Sequence, residues 1–99
     1  MIRVVYCWQV DPEAEDGFLH WWHEGTLAIR RDRAGALGST LLRSHDSASS
    51  FTAVARWQSR ADLEAFWAAG GAQEVPGVEL TAVEIFDEID DLELRPPPS

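Results

Sequence analysis

The segment from Phe18 to Glu24 constrains the fold of this chain most, because it holds two of the five tryptophans and two of the three histidines. It lies in a stretch from about Pro12 to Arg33 whose apolar residues recur at helical spacing. These residues form one broad predicted stripe: Ala14, Phe18, Trp21, Trp22, Gly25, Ala28 and Ile29. A helix with this many indoles on one face either anchors a core or forms the wall of a pocket for a flat apolar ligand.

Composition limits the possible partners. The chain has 99 residues, 45% of them hydrophobic, which predicts one domain with a single core. A net charge of −9 repels phosphate backbones and anionic lipid, so we expect no nucleic-acid or membrane-surface binding. The single cysteine, Cys7, excludes an internal disulfide and favours a reducing cytoplasm. The expected partners are a small molecule and a second copy of the chain.

The order of predicted elements indicates the fold class. Alternating residues predict strands over Ile2 to Val10, Gly38 to His45, Phe51 to Trp57 and Val78 to Ile89. The second helix starts at Ser59, whose capping partner is Asp62, and ends at Gly70-Gly71. The resulting β-α-β-β-α-β order predicts a ferredoxin-like α+β domain, with an antiparallel sheet, over residues 1–92. Residues 93–99 are expected to form a disordered, proline-rich tail.

Two helices can cover only one face of such a sheet, yet both faces are predicted to be apolar. Val5 and Cys7 alternate with the bulky residues of the first strand, so apolar side chains point to both sides of the sheet. A symmetric homodimer would hide the second face.

Four segments carry a resemblance to a known family: the opening strand Val4 to Trp8, the segment Ala34 to Ser39, the strand Phe51 to Trp57, and Leu63 to Trp67. Through these segments the chain resembles the antibiotic biosynthesis monooxygenase family of dimeric α+β barrels. The resemblance implies a homodimer with a hydrophobic pocket between the sheet and the helices. Members of this family act as cofactorless oxygenases on polyketide phenols, as quinol oxygenases or as haem degraders, and some have no known reaction.

The haem-degrading members carry an Asn on the first strand and a ligating His after the second helix. In this chain Cys7 stands in that region of the first strand, and no His follows His45. We therefore predict at most weak, non-specific haem binding, with no cleavage of the ring.

Candidate catalytic residues are His20 or His23, as a general base, and Arg43 or Arg56, as a group that holds an enolate. The alternative for the arginines is pairing with carboxylates such as Glu84. His20, His23 and Glu24 could reach one metal ion, but two ordinary histidines explain the spacing better, so no metal or other cofactor is predicted. The acidic run Asp87 to Glu93 could hold a hard cation, although a solvated strand end is the simpler interpretation.

The expected substrate-binding residues are Tyr6, Trp22, Phe66 and Trp67, whose rings would orient a planar molecule. The alternative is that the tryptophans only fill the hydrophobic core and bind no ligand. We thus expect a cofactor-independent, monooxygenase-like enzyme that oxygenates or cyclises a flat, polyketide-like or quinone-like molecule. The rival hypothesis is a non-catalytic dimeric module that binds a ligand or acts as a scaffold.

Overall fold

The computed structural model describes residues 1–72 and 74–93 and contains four strands and two α-helices in the predicted order. The strands are β1 (Ile2–Val10), β2 (Ala36–Arg43), β3 (Ser50–Trp57) and β4 (Val78–Asp87); the helices are α1 (Glu15–Asp32) and α2 (Arg60–Ala68). The prediction of a ferredoxin-like α+β fold is confirmed.

The four strands form one antiparallel sheet in the order β2-β3-β1-β4. β1 is central, and its Tyr6 lies opposite Ala53 of β3 and Val83 of β4. At one end of β1, Ile2 pairs with Trp57 of β3. An irregularity in the pairing between β1 and β4, next to Cys7, shifts the register by one residue.

The two sides of the sheet differ, and we name them the helix face and the open face. On the helix face, Ile2 and Val4 of β1 pack with Leu63 and Phe66 of α2, and Trp8 and Val10 pack with Phe18 of α1. Tyr6 lies between these two clusters and contacts both. The core is therefore divided into a half under each helix, and Tyr6 marks the boundary.

The chain enters α1 through a 3-10 turn at Pro12–Ala14, so the α-helix begins later than the predicted Pro12. The Asp11 side chain makes no capping hydrogen bond, and the Ala14 amide instead donates to the Asp11 carbonyl at 2.8 Å. The predicted cap of α2 is confirmed, because the Ser59 hydroxyl accepts from the Asp62 amide at 3.2 Å. Between α1 and β2, Gly35 has a φ of 79°, and a Cβ there would collide with the Asp62 carboxylate.

β4 ends at Asp87, two residues before the predicted Ile89. The Glu88 amide donates to the Met1 carbonyl at 3.0 Å, and the chain then leaves the sheet. The tail predicted from residue 93 lies outside the described residues from 94 onwards, as does Gln73. Within the described part of the chain, no helix is long and apolar enough to cross a membrane.

Candidate functional site

An open cleft of about 1420 Å³ separates α1 from α2 above the helix face. Its floor is made by the sheet and its walls by the helices. The residues that define it are Tyr6, Ala53, Ala55 and Val83 on the floor, Trp22, Gly25 and Ile29 on α1, and Phe66 and Trp67 at the end of α2. Most of these side chains are apolar, which suits a flat hydrophobic ligand.

Small residues leave the cleft open. Gly25 lies in the middle of the α1 stripe, and a Cβ added there would meet no atom within 4 Å. On the floor, Ala53 and Ala55 occupy β3 positions where longer side chains would fill the space under the helices. The tryptophans of the stripe therefore border a cavity, whereas Phe18 of the same stripe is fully buried.

Tyr6 supplies the polar group at the centre of the floor. The Trp67 Nε1–H donates a hydrogen bond to the Tyr6 hydroxyl oxygen at 3.3 Å, and the Tyr6 ring stacks on Trp8 with 5.7 Å between centroids. Burial raises the pKa of Tyr6, and the smaller, opposite effect comes from the Trp67 hydrogen bond. The phenol is therefore protonated at neutral pH.

The hydrogen of the Tyr6 hydroxyl has no acceptor among the residues that the structure describes. Since its oxygen already accepts from Trp67, the hydroxyl can donate its own hydrogen to an oxygen atom of a bound ligand.

The floor beside Tyr6 is held in place by aromatic contacts. Trp8 packs edge-on against Phe18 and Trp21 with centroid distances of 5.3 and 6.4 Å, and Phe18 contacts Phe51 at 5.1 Å. Such pairs fix ring orientations beyond what burial alone does. Tyr6 therefore lies on a rigid support.

The predicted substrate-binding residues Tyr6, Trp22, Phe66 and Trp67 all line the cleft. His20 and His23 do not: both are exposed, on the side of α1 that faces away from the sheet. The structure thus brings the predicted aromatic set together and leaves the predicted bases outside it. The roles of all these residues remain predictions.

The two predicted catalytic arginines bind carboxylates. Arg43 bonds to Glu15 at 2.8 Å and its guanidinium lies 5.1 Å from the Phe51 ring centroid. The side chain of Arg56 lies on the open face of β3, away from the cleft, and its guanidinium bonds to Glu88 at 2.7 Å. The alternative of carboxylate pairing therefore describes both contacts, although neither partner is the Glu84 that the sequence suggested.

The acidic segment after β4 forms an ion cluster on the open face. Glu88 binds Arg3 and Arg56, and Asp91 lies 3.8 and 3.5 Å from the same two guanidinium groups. In residues 1–72 and 74–93, no three His, Cys, Asp or Glu side chains are grouped so that they could hold a metal ion.

Sequence reasoning missed Arg30 and Arg33, which line the cleft near the end of α1. Their position at the helix C-terminus suggested only that they compensate the helix dipole. The available signal was spacing, because Arg33 follows Ile29 by four residues and so continues the apolar stripe.

A sequence model of the antibiotic biosynthesis monooxygenase family matches residues 1–75, from β1 through α2. The chain belongs to the antibiotic biosynthesis monooxygenase family. The expectation based on the resemblance is thereby confirmed at the level of family and fold. No curated protein matches the chain.

Solved structures of this family share the fold with low sequence identity. The heme-degrader MhuD from Mycobacterium tuberculosis, with two hemes bound in its active site, is 18% identical, with a TM-score of 0.73 over 94% of this chain and 100% of that one. SnoaB, a cofactor-independent oxygenase from Streptomyces nogalater, is 20% identical, with a TM-score of 0.71 over 92% and 95% of the two chains. At these identities the likeness shows the fold alone.

The described cleft does not fit haem ligation. Haem iron takes an axial ligand from His, Cys, Met or Tyr, and of these types only Tyr6 is among the described residues that line the cleft. Burial raises the pKa of Tyr6 and outweighs the opposite effect of the Trp67 hydrogen bond, so a ligating phenolate is disfavoured.

Proposed function

We propose that this member of the antibiotic biosynthesis monooxygenase family binds a flat phenol-like or anthrone-like molecule in the cleft and oxygenates it without metal, flavin or haem. The observation that carries the proposal is the convergence of aromatic walls on one polar group, the Tyr6 hydroxyl. Membership of the family supports the reaction class.

The ligand would lie with its ring plane along the walls of the cleft. Trp22 of α1 and the pair Phe66 and Trp67 of α2 border the cleft from its two sides. Burial of a polycyclic ring between these side chains supplies most of the binding free energy, and aromatic contacts orient the ring.

Tyr6 would then stabilise the negative charge that forms on the substrate. When an enol or phenol of the substrate ionises, the charge rests on an oxygen that can accept a hydrogen bond from the Tyr6 hydroxyl. The hydrogen bond from Trp67 polarises this hydroxyl and makes it a better donor.

The substrate proton can leave through the open cleft to solvent. The prediction that His20 or His23 removes this proton is kept as a testable alternative, because both lie outside the cleft.

The ionised substrate reacts with dioxygen at carbon. The carbanion form of the enolate gives its electron pair to dioxygen, a C–O bond forms, and protonation yields a hydroperoxide. Loss of the second C–H proton and cleavage of the O–O bond then leave a carbonyl and water. Overall, a CH₂ group and one O₂ become C=O and H₂O, so the carbon is oxidised and both oxygen atoms are reduced.

We also propose that the chain acts as a homodimer that pairs two open faces. Leu42 and Phe86 on this face are 49% and 44% exposed, and the central Val5 and Val54 are half-buried. The two arginines of this face are neutralised by Glu88 and Asp91, whereas Glu84 remains at its edge strand. A second copy would remove the apolar area from water.

The test measures oxygen consumption with anthrone, after subtraction of the spontaneous rate. We expect turnover by the unmodified chain and a loss in kcat on the order of 100-fold in Tyr6→Phe, as for removal of one oxyanion donor. His20→Gln and His23→Gln test the alternative base, and His45→Gln, in the exposed turn between β2 and β3, is the matched control.

Turnover that is unaffected by Tyr6→Phe but abolished by His20→Gln or His23→Gln would transfer the catalytic role to α1. Tight binding of anthrone without any turnover would favour the non-catalytic binding module instead.

A further inference from the structure

We propose that Arg30 and Arg33 form a carboxylate-binding site at the end of the cleft, so that the preferred ligand is a flat polycyclic acid. This inference rests on the proposed function only in that the ligand occupies the same cleft. It adds a chemical class: the aromatic walls select a planar ring system, and the two arginines select an acidic substituent at one end.

The pairing of the arginines is the first observation. Within the described residues, Arg3, Arg31, Arg43, Arg56 and Arg60 each bind a carboxylate. Arg30 and Arg33 bind none there, although the chain carries a net charge of −9 and so has carboxylates in excess. Both of these arginines line the cleft. Beside its ligand cavity the protein therefore holds two cations that form no ion pair within the described residues.

The geometry of Arg33 is the second observation. Its guanidinium carbon lies 5.7 Å from the centroid of Phe66, which stacks on Trp57 at 5.5 Å. A guanidinium over a ring keeps its N–H groups free at the edges of its own plane, where they can bind a carboxylate with two hydrogen bonds. Arg30 lies in the last turn of α1, three residues before Arg33, and lines the same cleft.

The acidic groups around the cleft form no ion pair with these two arginines in the described residues. Asp32 is held by its neighbour Arg31 through bonds of 2.8 and 3.0 Å, and the charge of Arg33 makes the smallest contribution to its lowered pKa. Glu79 lies opposite Gln9 in the sheet, near one end of β1. The other end of β1 holds Ile2, which pairs with Trp57. Glu74 lies in the connection between α2 and β4. Compensation of the helix dipole explains why arginines are found here, but not why two of them border the cavity.

The spacing suits a polycyclic ligand. Phe66, whose ring lies under Arg33, and Trp67, whose indole donates to Tyr6, are consecutive residues of α2. A rigid fused ring system that contacts both side chains can therefore have one polar group near Tyr6 and another near Arg33. A ligand with one oxygen at Tyr6 could thus present a carboxylate to Arg33 and Arg30.

The experiment compares two probes of nearly equal shape, anthraquinone-2-carboxylate and anthraquinone-2-carboxamide, by quenching of tryptophan fluorescence in the full-length chain. We expect the carboxylate to bind about fivefold more tightly at low salt, as partly exposed ion pairs allow. Raising the ionic strength should reduce this preference, because salt screens exposed charges.

Variants assign the preference to the two arginines. In Arg33→Gln and in Arg30→Gln the carboxylate should lose its advantage while carboxamide binding stays the same. Arg60→Gln is the matched control, since it removes the same charge at an exposed side chain that binds Glu64 and does not line the cleft. Circular dichroism of each variant checks that α1 is intact.

The outcomes separate the two proposals. If both probes bind equally to the unmodified chain, the carboxylate site is wrong and the hydrophobic cleft stands. If Arg60→Gln removes the preference as fully as Arg33→Gln, the effect is general electrostatics and the site is wrong. If neither probe nor anthrone binds, the proposed function itself fails.

Discussion

The two faces of the sheet are built from the same four strands but differ in what covers them. On the helix face, Val4 and Phe18 are fully buried, and the small residues between the helices leave a cleft lined with aromatic rings. On the open face, four charged groups from β1, β3 and the segment after β4 bind one another, and apolar side chains such as Leu42 remain exposed.

The alternation of side chains along a strand predicts which residues share a side of the sheet. It does not predict which of the two sides the helices cover. Val4 and Val5 are neighbours on β1 with the same chemistry, yet Val4 is buried under α2 and Val5 is half-buried on the open face. What distinguishes them is the position of the helices. The helix face therefore holds the core and the cleft of the proposed function, and the open face is the one that the proposed dimer would cover.

The mutation with the largest expected effect on stability lies on the helix face. Phe18→Ala should lower the free energy of unfolding by about 3 to 5 kcal/mol, because it leaves a cavity under α1. Urea denaturation measures this loss. Leu27→Ala is the matched control on the same helix, since Leu27 is 49% exposed and its truncation should cost little. Equal losses in the two variants would mean that α1 does not anchor the core.

The next effect tests association through the open face. Val54→Asp should turn the proposed dimer into a species of 11.1 kDa, because burying an unpaired carboxylate between two copies costs about 2 kcal/mol or more. Light scattering after size-exclusion chromatography gives the mass. Leu27→Asp, on the outer side of α1, should leave the mass unchanged. A chain that is monomeric before mutation would contradict the dimer.

A smaller effect, on the pH dependence of stability, is expected from the ion cluster of Glu88 with Arg3 and Arg56. Hydrogen bonds from Arg56, opposed by burial and assisted by Arg3, hold the pKa of Glu88 below its usual value. A lowered pKa in the folded state stabilises the fold at pH above the unfolded pKa of about 4.3, and this contribution is lost as pH falls through the folded value. Glu88→Gln should therefore destabilise the chain at pH 7 and progressively less in acid.

Thermal unfolding of Glu88→Gln at several pH values measures this dependence. Glu64→Gln, which removes a carboxylate from the exposed pair with Arg60, is the control and should change the melting temperature little at any pH. A Glu88→Gln penalty that does not shrink in acid would show that lost packing, and not charge, causes it.

The mutation with the smallest expected effect tests the hydrogen bond between Trp67 and Tyr6 in the cleft. Trp67→Phe removes the indole that donates to Tyr6, so the pKa of Tyr6 should rise further. Tyr6 is the single tyrosine, and phenolate absorbance therefore reports on it alone. Trp22→Phe also changes the cleft wall but leaves the hydrogen bond, and it should not move the titration. An unchanged titration in Trp67→Phe would mean that the bond is absent in solution.

Much of the fold could be predicted because its signals are local. The alternation in Ile2 to Val10 and the Ser59 cap depend on neighbouring residues, and both agree with the structure. The stripe of α1 likewise separated the side that packs on the sheet from the exposed His20 and His23. Element ends were less accurate, since the end of β4 depends on Glu88 bonding to residues far away in the chain.

The amino-acid sequence by itself determined the order of elements, the family and the aromatic character of the helix stripe, because these follow from patterns within short windows. Only the tertiary structure decided which side chains share the cleft. Tyr6 and Trp67 are 61 residues apart and meet because β1 lies under the end of α2. Arg33, at the end of α1, likewise contacts Phe66 of α2. Contacts between distant segments depend on how whole elements pack, which periodicity along the chain does not encode.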